Sequence, residues 1–519
     1  MPAIGLVYDG HAQHLPPASA RATHIETPER VSVIYRALGK ARLLDRLTRV
    51  APREATRAEA EAVHTAEHLD ALEALADAEP SLRGAWRGGA GGGWSLGRDM
   101  FHDAQTACAA RRAAGGVVAL TEGVLRGEIS SGFALVRPPG HHACEDRMAG
   151  FCFLNSVAVA ARAALSPRGG LRRVLVVDWD VHHGDGTQAI FEEDPAVLFF
   201  SLHRFGRGFF PGTGAASCVG GGAAAGRTVN VPFRREGMGD AEYLAAFDAL
   251  LLPIARAFDP QLVLVSAGFD AAGGDRVGGM DLTAGGFAGM AARLRSLAGG
   301  RVVFALEGGY KPSLAAKGVL ACVRVLLDDP SVGPAARLPQ GEPRVDFGGI
   351  ARAAHHALLE SLRAHADLWP LLKGSPLANH PSLPLRLSER PSAAHSDGDG
   401  DGGGDADGPL RPGPAAATAV PSTQGAATSG GSSGGSSGSE GVQQCRSCSL
   451  RLPKGAFSAS QLRRRRAGER VCKGCSGISM HEVHEAAERS FPCAANQGHN
   501  SIGIPAVRVS STHDDVTDL

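Results

Sequence analysis

Three stretches of the sequence are unbroken runs of apolar residues: VLVV at 174–177, LVLV at 262–265 and VVFAL at 302–306. A strand with one exposed face alternates apolar and polar residues, so these runs predict strands that are covered on both faces. Further strand patterns occur at Ile4–Tyr8, Gly132–Val136 and Val197–Ser201. Helical patterns separate the strands, at Phe101–Leu125, Ser156–Leu165, Ala241–Ala257 and Ala284–Leu297. This order predicts an α/β domain with a parallel sheet between two layers of helices.

The composition changes after this α/β region. Residues 376–440 are rich in Gly, Ser, Asp and Pro and hold too little apolar surface to form a core, which predicts a flexible linker. Two Cys-x-x-Cys pairs within 441–480 predict a small separate module, and the polar tail at 481–519 is predicted to be disordered. The α/β domain itself is assigned to residues 1–375.

Charge and cysteine usage restrict the partners and the compartment. Lys+Arg and Asp+Glu both number 53, so the global charge indicates neither a nucleic-acid nor a membrane partner. The N-terminal residues MPAIGLVYDGHAQHL do not resemble a signal peptide, and no apolar run is long enough to span a bilayer. The cysteines outside 441–480 are mostly scattered, which favours reduced thiols. We therefore expect a protein of the nucleus, the cytoplasm or both.

Polar motifs follow four of the predicted strands. VLVV leads into Asp178-Trp-Asp180-Val-His182-His183-Gly-Asp185, and LVLV leads into Ser-Ala-Gly-Phe-Asp270. A carboxylate and an imidazole two residues apart share a face of extended chain and suit Zn²⁺. Asp270 taken alone is more readily explained as a helix N-cap. Open parallel sheets bind their ligands at the carboxyl ends of the strands, however, so these side chains are expected to meet.

The other two motifs supply hydrogen-bonding groups at the same edge. Arg137-Pro-Pro-Gly140-His141-His142 follows FALV, and its glycine permits a turn that presents two imidazoles to a cavity. Glu307-Gly-Gly-Tyr310 follows VVFAL and offers a hydroxyl group. A histidine pair alone is usually a surface or core feature, and Gly-Gly-Tyr alone is usually a turn. Four such motifs at four strand ends together predict a metal-dependent catalytic site.

At this point the sequence resembles a known family. RPPGHHA, GFCFLNSVAVAA, VLVVDWDVHHGDGTQ, VLFFSLHRFGRGFFPGTG and LEGGY are together similar to the histone deacetylases, nearest to their class II branch, over roughly residues 3–330. The resemblance implies a three-layer arginase/deacetylase fold with an eight-stranded parallel sheet. It also implies zinc-dependent hydrolysis of N-ε-acetyl-lysine in proteins, whether histones or others such as tubulin, with release of acetate.

The resemblance assigns roles to individual positions. It implies that Asp180, His182 and Asp270 bind the catalytic zinc, and that Tyr310 donates to the substrate carbonyl. It implies that His142 is the general base and later the acid, with His141 as its electrostatic partner. The remaining implied roles are hydrogen-bond acceptors for the two histidines (Asp178, Asp185), tunnel walls and lining (Phe151, Phe210, Gly150, Gly308), and a structural potassium site (Asp178, Ser201).

The sequence departs from the family pattern at two places. Asp185 stands where class II members usually have Asn, which should raise the basicity of His142. Arg276 stands where Pro is common, and Val277 stands at the gate of the tunnel, where polyamine-directed relatives carry an acidic residue. An apolar gate argues against a cationic substrate. An acetylpolyamine or other small-amide hydrolase nevertheless stays open as an alternative, as does a non-enzymatic scaffold; a binuclear manganese ureohydrolase fits the histidine pair and Tyr310 poorly.

A second metal site is predicted near the C-terminal end. Cys445-Arg-Ser-Cys448 and Cys472-Lys-Gly-Cys475 have the spacing of a tetrahedral structural zinc site. The intervening FSASQL segment resembles treble-clef zinc modules, which implies a protein or chromatin partner for a module tethered by the linker. The run Arg463–Arg466 is compatible with nucleic-acid binding, a nuclear signal or a solvated helix face, and these readings stay open.

Overall fold

The fold is described from a computed structural model of the chain. It describes residues 3–10, 14–21, 23–78, 100–206, 208–333, 349–375 and 377, and the backbone alone at 81–82, 85–87, 93–95, 442–444 and 451–453. The described residues fall into two units, one before residue 385 and one within residues 385–496. The first unit contains the sheet and its helices.

Eight strands form one sheet in which every neighbouring pair is parallel. In chain order the strands are β1 (Ile4–Tyr8), β2 (Leu47–Arg49), β3 (Ser131–Leu135), β4 (Val174–Asp178), β5 (Val197–Arg204), β6 (Thr228–Phe233), β7 (Leu262–Ala267) and β8 (Val302–Leu306). Across the sheet the order is β6-β5-β4-β7-β8-β3-β1-β2. The predicted eight-stranded parallel sheet is therefore confirmed.

The sequence patterns locate six of these strands and miss β2 and β6. β2 is the three-residue sequence LTR at one edge of the sheet, and its last two residues are exposed. β6, at the opposite edge, is TVNVPF, in which Asn230 and Pro232 interrupt the apolar run. A proline is tolerated in an edge strand because one side of that strand needs no ladder partner. Edge position thus explains why both strands lack the signature of a buried strand.

Helices cover both faces of the sheet. They are α1 (Glu29–Lys40), α2 (Arg57–Glu61), α3 (Ala66–Ala74), α4 (Thr106–Leu125), α5 (Ser156–Leu165), α6 (Asp185–Phe191), α7 (Asp240–Ala246), α8 (Leu252–Phe258), α9 (Ala284–Arg295), α10 (Pro312–Leu326) and α11 (Arg352–His365). Helices α1 and α7 to α11 pack in one core and α2 to α6 in the other. In β4, Leu175 and Val177 face the first core, whereas Val174 and Val176 face the second. The unbroken apolar runs of the sequence follow from these two cores.

Two predicted helices differ from the observed ones. The single helix expected at 241–257 is divided into α7, a π-helical turn at Phe247–Leu251 and α8. Pro253 lies just after that turn; it lacks an N–H group and its ring crowds the preceding turn, so a wider turn accommodates it. The helix expected from Phe101 begins at Thr106, because Phe101–His102 pairs as a short antiparallel strand with Ser81–Leu82.

The register of the sheet aligns the carboxyl ends of its central strands. Asp178 at the end of β4 lies opposite Ser201 of β5 and Ser266 of β7. Ala267 of β7 lies opposite Leu306 of β8. The polar motifs that follow these strands therefore emerge side by side, as predicted from the sequence.

In the second unit the described backbone is an antiparallel pair, Val442–Gln444 with Arg451–Pro453. The four cysteines of the predicted zinc module, Cys445, Cys448, Cys472 and Cys475, lie outside the described residues, so that module stays a prediction. The same holds for the tail at 481–519 and, apart from residue 377, for the linker at 376–440. None of the described helices is long and apolar enough to cross a membrane.

Candidate metal and catalytic site

Three buried side chains bring possible metal ligands together beyond the ends of β4 and β7. The ligand atoms of Asp180, His182 and Asp270 all lie within 4.8 Å of one another. Nδ1 of His182 is 3.0 Å from Oδ1 of Asp180 and 3.2 Å from Oδ2 of Asp270. Strand pairing ends at Asp178, but the side chains still alternate, because Trp179 and Val181 enter the core. The three residues proposed as metal ligands are thus neighbours in space.

The backbone fixes both carboxylates in place. Val181 N donates to Oδ1 of Asp270 at 2.9 Å, and Gly308 N donates to Oδ2 of Asp180 at 2.8 Å. A Cβ atom on Gly308 would overlap the carboxylates of Asp180 and Asp270, so only glycine fits beneath them. Gly308 therefore lies against the two candidate metal-binding carboxylates, and its predicted role in lining the tunnel stays a prediction.

This donor set fits a divalent cation such as zinc. Oδ2 of Asp270 is buried and has no hydrogen-bond partner of good geometry among the described residues. Burial, reinforced by the charge of Asp180, raises the pKa of Asp270 to about 7. Two buried carboxylates without a cation repel each other, and an Asp–His–Asp set offers ligand types that zinc accepts. The residues present therefore fit the zinc ion that the sequence resemblance implies.

Two histidines beside this set are each bonded to a carboxylate. Nδ1 of His141 is 2.9 Å from Oδ2 of Asp178, and Nδ1 of His142 is 2.7 Å from Oδ1 of Asp185. The rings of His141 and His142 are in contact, with centroids 3.9 Å apart. Asp185 reaches His142 because it is the first residue of α6, directly after Gly184. The bond on each Nδ1 leaves Nε2 as the second nitrogen of each ring, and Nε2 of His141 lies 3.9 Å from Oδ1 of Asp180.

The two imidazoles differ in basicity. Burial opposes protonation of His141, but the carboxylates of Asp178 and Asp180 raise its pKa well above the usual value. Burial and the neighbouring His141 lower the pKa of His142 to about 3, although its bond to Asp185 acts in the opposite direction. The expected effect of Asp185 therefore has the predicted sign, but burial outweighs it. At neutral pH these shifts favour a cationic His141 beside a neutral His142.

Arg147 is a residue of the site that the motifs do not reveal. Its guanidinium donates to Oδ2 of Asp185 at 3.0 Å and to Sγ of Cys144 at 3.0 Å, while about half of the side chain is exposed. Asp185 thus lies between an imidazole and a guanidinium. The spacing of RPPGHHACEDR places Arg147 five residues after His142, and no sequence pattern connects it with Asp185.

Tyr310 lies buried at the same edge of the sheet. Its ring makes an edge contact with Phe151 at a centroid distance of 5.9 Å, and the guanidinium of Arg30 lies 5.1 Å from its centroid. Burial raises the pKa of Tyr310 well above the usual value, although Arg30 acts in the opposite direction. The hydroxyl is therefore protonated at neutral pH and can donate a hydrogen bond.

Aromatic rings flank the histidines. Phe210 contacts His142 edge-on at 4.8 Å, and Phe209, which the motifs did not single out, stacks on His182 at 5.0 Å. Phe151 has a φ of +68°, a conformation that is uncommon for a bulky residue. A Cβ atom on Gly150 would overlap His142. Gly150 and Phe210 thus lie against His142, and the role of these two residues and Phe151 as tunnel lining stays a prediction.

Glu307 and Cys152 are buried next to His141. Together with His141 they bring donor atoms within 4.8 Å of one another. Glu307 accepts hydrogen bonds from Gly140 N at 2.6 Å and His141 N at 3.2 Å, so it anchors the turn that carries the two histidines. Burial raises the pKa of the Cys152 thiol well above the usual value, which makes it a poor metal ligand.

The remaining predicted positions lie at the margin of the site. Val277 is partly buried, and its N–H donates to Oδ1 of Asp275 at 3.1 Å. Ser201 is buried next to Asp178 in the sheet register, and its hydroxyl lies 2.9 Å from Nδ1 of His203. Ser201 is therefore near Asp178, as the predicted potassium site requires, but its hydroxyl already has a partner.

Comparisons with known proteins agree with this architecture. The fold and the site define a three-layer α/β protein with a candidate metal-dependent hydrolase site. A model of the histone deacetylase domain matches residues 24–326. The crystal structure of the HDA15 HD domain aligns with a TM-score of 0.63 and 37% sequence identity, over 72% of this chain and 96% of that chain. The chain therefore belongs to the histone deacetylase family.

Similar relatives include proteins that are named for different substrates. Histone deacetylase 5 of Arabidopsis thaliana is 42% identical over 344 residues, covering 65% of this chain and 51% of that protein. Polyamine deacetylase HDAC10 of Homo sapiens is 43% identical over 342 residues, covering 65% of this chain and 50% of that protein. The chain spans about half the length of these relatives.

Proposed function

We propose that this chain is a zinc-dependent hydrolase that releases acetate from N-ε-acetyl-lysine side chains of proteins. The observation that carries the proposal is the meeting of the donor set Asp180, His182 and Asp270 with a neutral His142 and a protonated Tyr310. Amide hydrolysis requires a Lewis acid, a base that takes a proton from water, and a hydrogen-bond donor to the developing oxyanion. The metal held by the donor set, His142 and Tyr310 would supply these three functions in that order.

Asp180, His182 and Asp270 would hold the zinc ion. When bound, the ion polarises the amide carbonyl and lowers the pKa of the attacking water. The neutral His142 takes the proton from that water as the oxygen bonds to the acetyl carbon. The same imidazolium then returns a proton to the lysine nitrogen as the C–N bond breaks. Asp185 holds the ring in orientation through Nδ1.

Tyr310 and His141 support the developing charge. The Tyr310 hydroxyl is proposed to donate to the carbonyl oxygen, whose negative charge grows in the transition state. His141 carries a positive charge beside the carboxylates and keeps His142 neutral before the reaction. Phe151 and Phe210 are proposed to form the walls along which the apolar part of the acetyl-lysine side chain lies.

An acetylated polyamine is the second candidate substrate, because one relative is a polyamine deacetylase. A cationic substrate is favoured by a carboxylate at the gate of the tunnel. This chain has Val277 at the proposed gate, and the neighbouring Arg276 is exposed. The nearest carboxylate in sequence, Asp275, accepts hydrogen bonds from three backbone N–H groups. This arrangement favours acetyl-lysine in a protein.

The decisive experiment measures acetate release by the full-length protein. Acetyl-lysine peptides from histone and tubulin sequences are compared with acetylated polyamines, each with zinc and with a chelator. We expect chelator-sensitive turnover of the peptides and a much lower kcat/KM on polyamines. A preference for polyamines would replace the proposed substrate, and the absence of turnover on every substrate would favour a scaffold.

Three further assignments are proposals that accompany this function. Ser201 and Asp178 are proposed to border a potassium site. The four cysteines from Cys445 to Cys475 are proposed to bind a structural zinc in a module that recruits a protein or chromatin partner, in the nucleus or the cytoplasm. Deleting residues 441–480 should then change partner recovery or localisation without loss of peptide turnover; unchanged partners and localisation would exclude a recruitment role.

A further inference from the structure

Asp275 joins the segment that carries Tyr310 to the gate of the proposed tunnel. Its Oδ2 accepts hydrogen bonds from Tyr310 N at 2.8 Å and Lys311 N at 2.9 Å. Its Oδ1 accepts from Val277 N at 3.1 Å. The bond to Val277 is local and typical of an Asx turn. The two bonds through Oδ2 reach a segment 35 and 36 residues away and are not explained by that turn.

The segment before Tyr310 needs such an anchor. Tyr310 follows Gly308 and Gly309, and Gly309 has a φ of +118°, so this stretch of backbone is intrinsically adaptable. Arg30 holds the carbonyl side of the segment: its Nε donates to Gly309 O at 2.8 Å, and its Nη2 donates to Glu307 O. Asp275 holds the N–H side. The backbone at Tyr310 is therefore fixed between a cation and an anion.

The chemistry of these bonds makes them strong. A carboxylate that accepts from backbone N–H groups forms charge-assisted hydrogen bonds, which are stronger than bonds between neutral groups. Tyr310 and Lys311 immediately precede α10, a helix of 15 residues, and a negative charge is favourable near a helix N-terminus. The carboxylate is also partly buried, which increases the effect of each bond.

We propose that Asp275 is a positioning residue that fixes where the Tyr310 hydroxyl lies relative to the substrate carbonyl. Its role in turnover rests on the proposed deacetylase function. Among the described residues, the hydrogen bonds of the Asp275 carboxylate go to backbone N–H groups and not to the candidate metal ligands, so we infer that it acts through the backbone of Tyr310. Because the same carboxylate binds Val277 N, the position of the gate and the position of the oxyanion donor are coupled.

Asp275→Asn tests the proposal with little change of volume. The amide has one acceptor oxygen, so it cannot accept from both Val277 and the Tyr310–Lys311 pair. Displacing a catalytic group by a fraction of an ångström to an ångström lowers kcat by roughly 10- to 100-fold, with KM changed little. Asp275→Glu keeps the charge on a longer chain and should recover part of kcat. Wild-type kcat in Asp275→Asn would overturn the proposal.

A double-mutant cycle with Tyr310→Phe separates positioning from a general structural effect. If Asp275 acts through the Tyr310 hydroxyl, Asp275→Asn should change kcat by less than about 3-fold once that hydroxyl is absent. If Asp275→Asn lowered kcat by the same factor in the wild type and in Tyr310→Phe, the proposal would be overturned. Asp240→Asn is the matched control, since Asp240 accepts from Thr283 N and its hydroxyl at another loop junction. In a cycle with Tyr310→Phe, Asp240→Asn should change kcat by the same factor whether or not the Tyr310 hydroxyl is present.

Hydrogen exchange provides a readout that does not depend on turnover. The amides of Tyr310 and Lys311 should be protected in the wild-type full-length protein, and Asp275→Asn should accelerate their exchange by at least about 10-fold. Exchange in β7 and β8 should not change. If the wild type lacks acetyl-lysine turnover, the proposed function fails, while this measurement still decides whether Asp275 holds the segment; unchanged exchange would refute it.

Discussion

Arg147 donates a hydrogen bond to Oδ2 of Asp185 on the opposite side of the carboxylate from His142, which is bonded to Oδ1. The Asp185 carboxylate is therefore shared between a permanent cation and the proposed general base. Burial resists ionisation of Asp185, but His142 and Arg147 together hold its pKa below the usual range. Asp185 is one of the two positions at which the sequence departs from the family pattern that the resemblance implies, and in the structure this carboxylate has an arginine partner.

Arg147→Met should move the acid limb of the pH profile of kcat/KM to higher pH. The positive charge of Arg147 disfavours protonation of His142, so its loss raises the pKa of the base, by roughly half a unit to one unit. More of the enzyme is then protonated at a given acidic pH and inactive. Because the pKa of His142 is about 3, the profile is measured on an acetyl-lysine peptide from about pH 3.5 upward.

The control for this prediction is Arg126→Met, which removes an arginine from an exposed ion pair with Glu128. It should leave the acid limb in place. An equal shift in both variants would assign the effect to net charge, and no shift in Arg147→Met would contradict the coupling to His142.

Tyr310→Phe should keep the fold and lower kcat by about 10²- to 10³-fold, the usual effect of losing one oxyanion donor. The melting temperature should change little, because the ring contacts with Phe151 and Arg30 remain. Tyr243→Phe is the matched control, since its hydroxyl is buried without a hydrogen-bond partner among the described residues. Near-native turnover in Tyr310→Phe would exclude the proposed role.

Metal removal should destabilise the protein. Without a cation the buried carboxylates of Asp180 and Asp270 repel each other, and a ligand that binds only the folded state stabilises it. A chelator should therefore lower the melting temperature by several degrees, and added zinc should restore it. In Asp270→Asn this repulsion is absent, so the chelator should lower the melting temperature much less than in the wild type.

Metal analysis checks the same assignment. Asp270→Asn should lose about one equivalent of zinc relative to the wild type, while any zinc on the C-terminal cysteines remains. The exposed Asp367→Asn should retain the wild-type zinc content. Equal zinc content in Asp270→Asn and the wild type would remove Asp270 from the metal site.

Acid should destabilise the fold through buried neutral histidines. Burial, with Arg137 nearby, lowers the pKa of His14 to about 3, and burial, with His68 nearby, lowers that of His64 to about 3. Between about pH 6.5 and 3 the unfolded chain binds protons that the folded chain does not. Each group therefore lowers the free energy of unfolding by about 1.4 kcal/mol per pH unit within that window.

Urea unfolding of the chelated protein at pH 7.5 and 5.5 measures this effect without competition from metal. His64→Gln should reduce the change in the free energy of unfolding between the two pH values, whereas a substitution of the exposed His356 by Gln should not. The buried carboxyl of Asp270, whose pKa is about 7, acts in the opposite direction in both variants, so an equal pH dependence in His64→Gln and the wild type would contradict the prediction.

Val277→Glu should increase kcat/KM for an acetylated polyamine relative to an acetyl-lysine peptide. The new carboxylate would attract a cationic amine at the gate, and an exposed or partly buried charge pair is worth about 1 kcal/mol, or several-fold in rate. Val277→Gln is the control of similar size without charge. An equal change in both variants would remove charge as the determinant of substrate choice.

The fold was predictable where the sequence carries unbroken apolar runs. β4, β7 and β8 each lie between two cores, and their side chains must be apolar on both faces, so the pattern is local and visible. β2 and β6 lie at the edges and carry exposed or interrupting residues, so nothing local distinguishes them from loops. The π-helical turn before Pro253 likewise depends on how a continuous helical pattern accommodates one missing N–H group.

The sequence by itself determined which residue types follow which strands, and hence that Asp180, His182 and Asp270 would meet His141, His142 and Tyr310. The reason is that parallel strands have their carboxyl ends at one edge. Only the tertiary structure decided that Arg147 shares Asp185, that burial outweighs Asp185 in the basicity of His142, and that Asp275 holds the backbone of Tyr310. These contacts join segments that are far apart in sequence, and both desolvation and hydrogen-bond geometry exist only once the chain has folded.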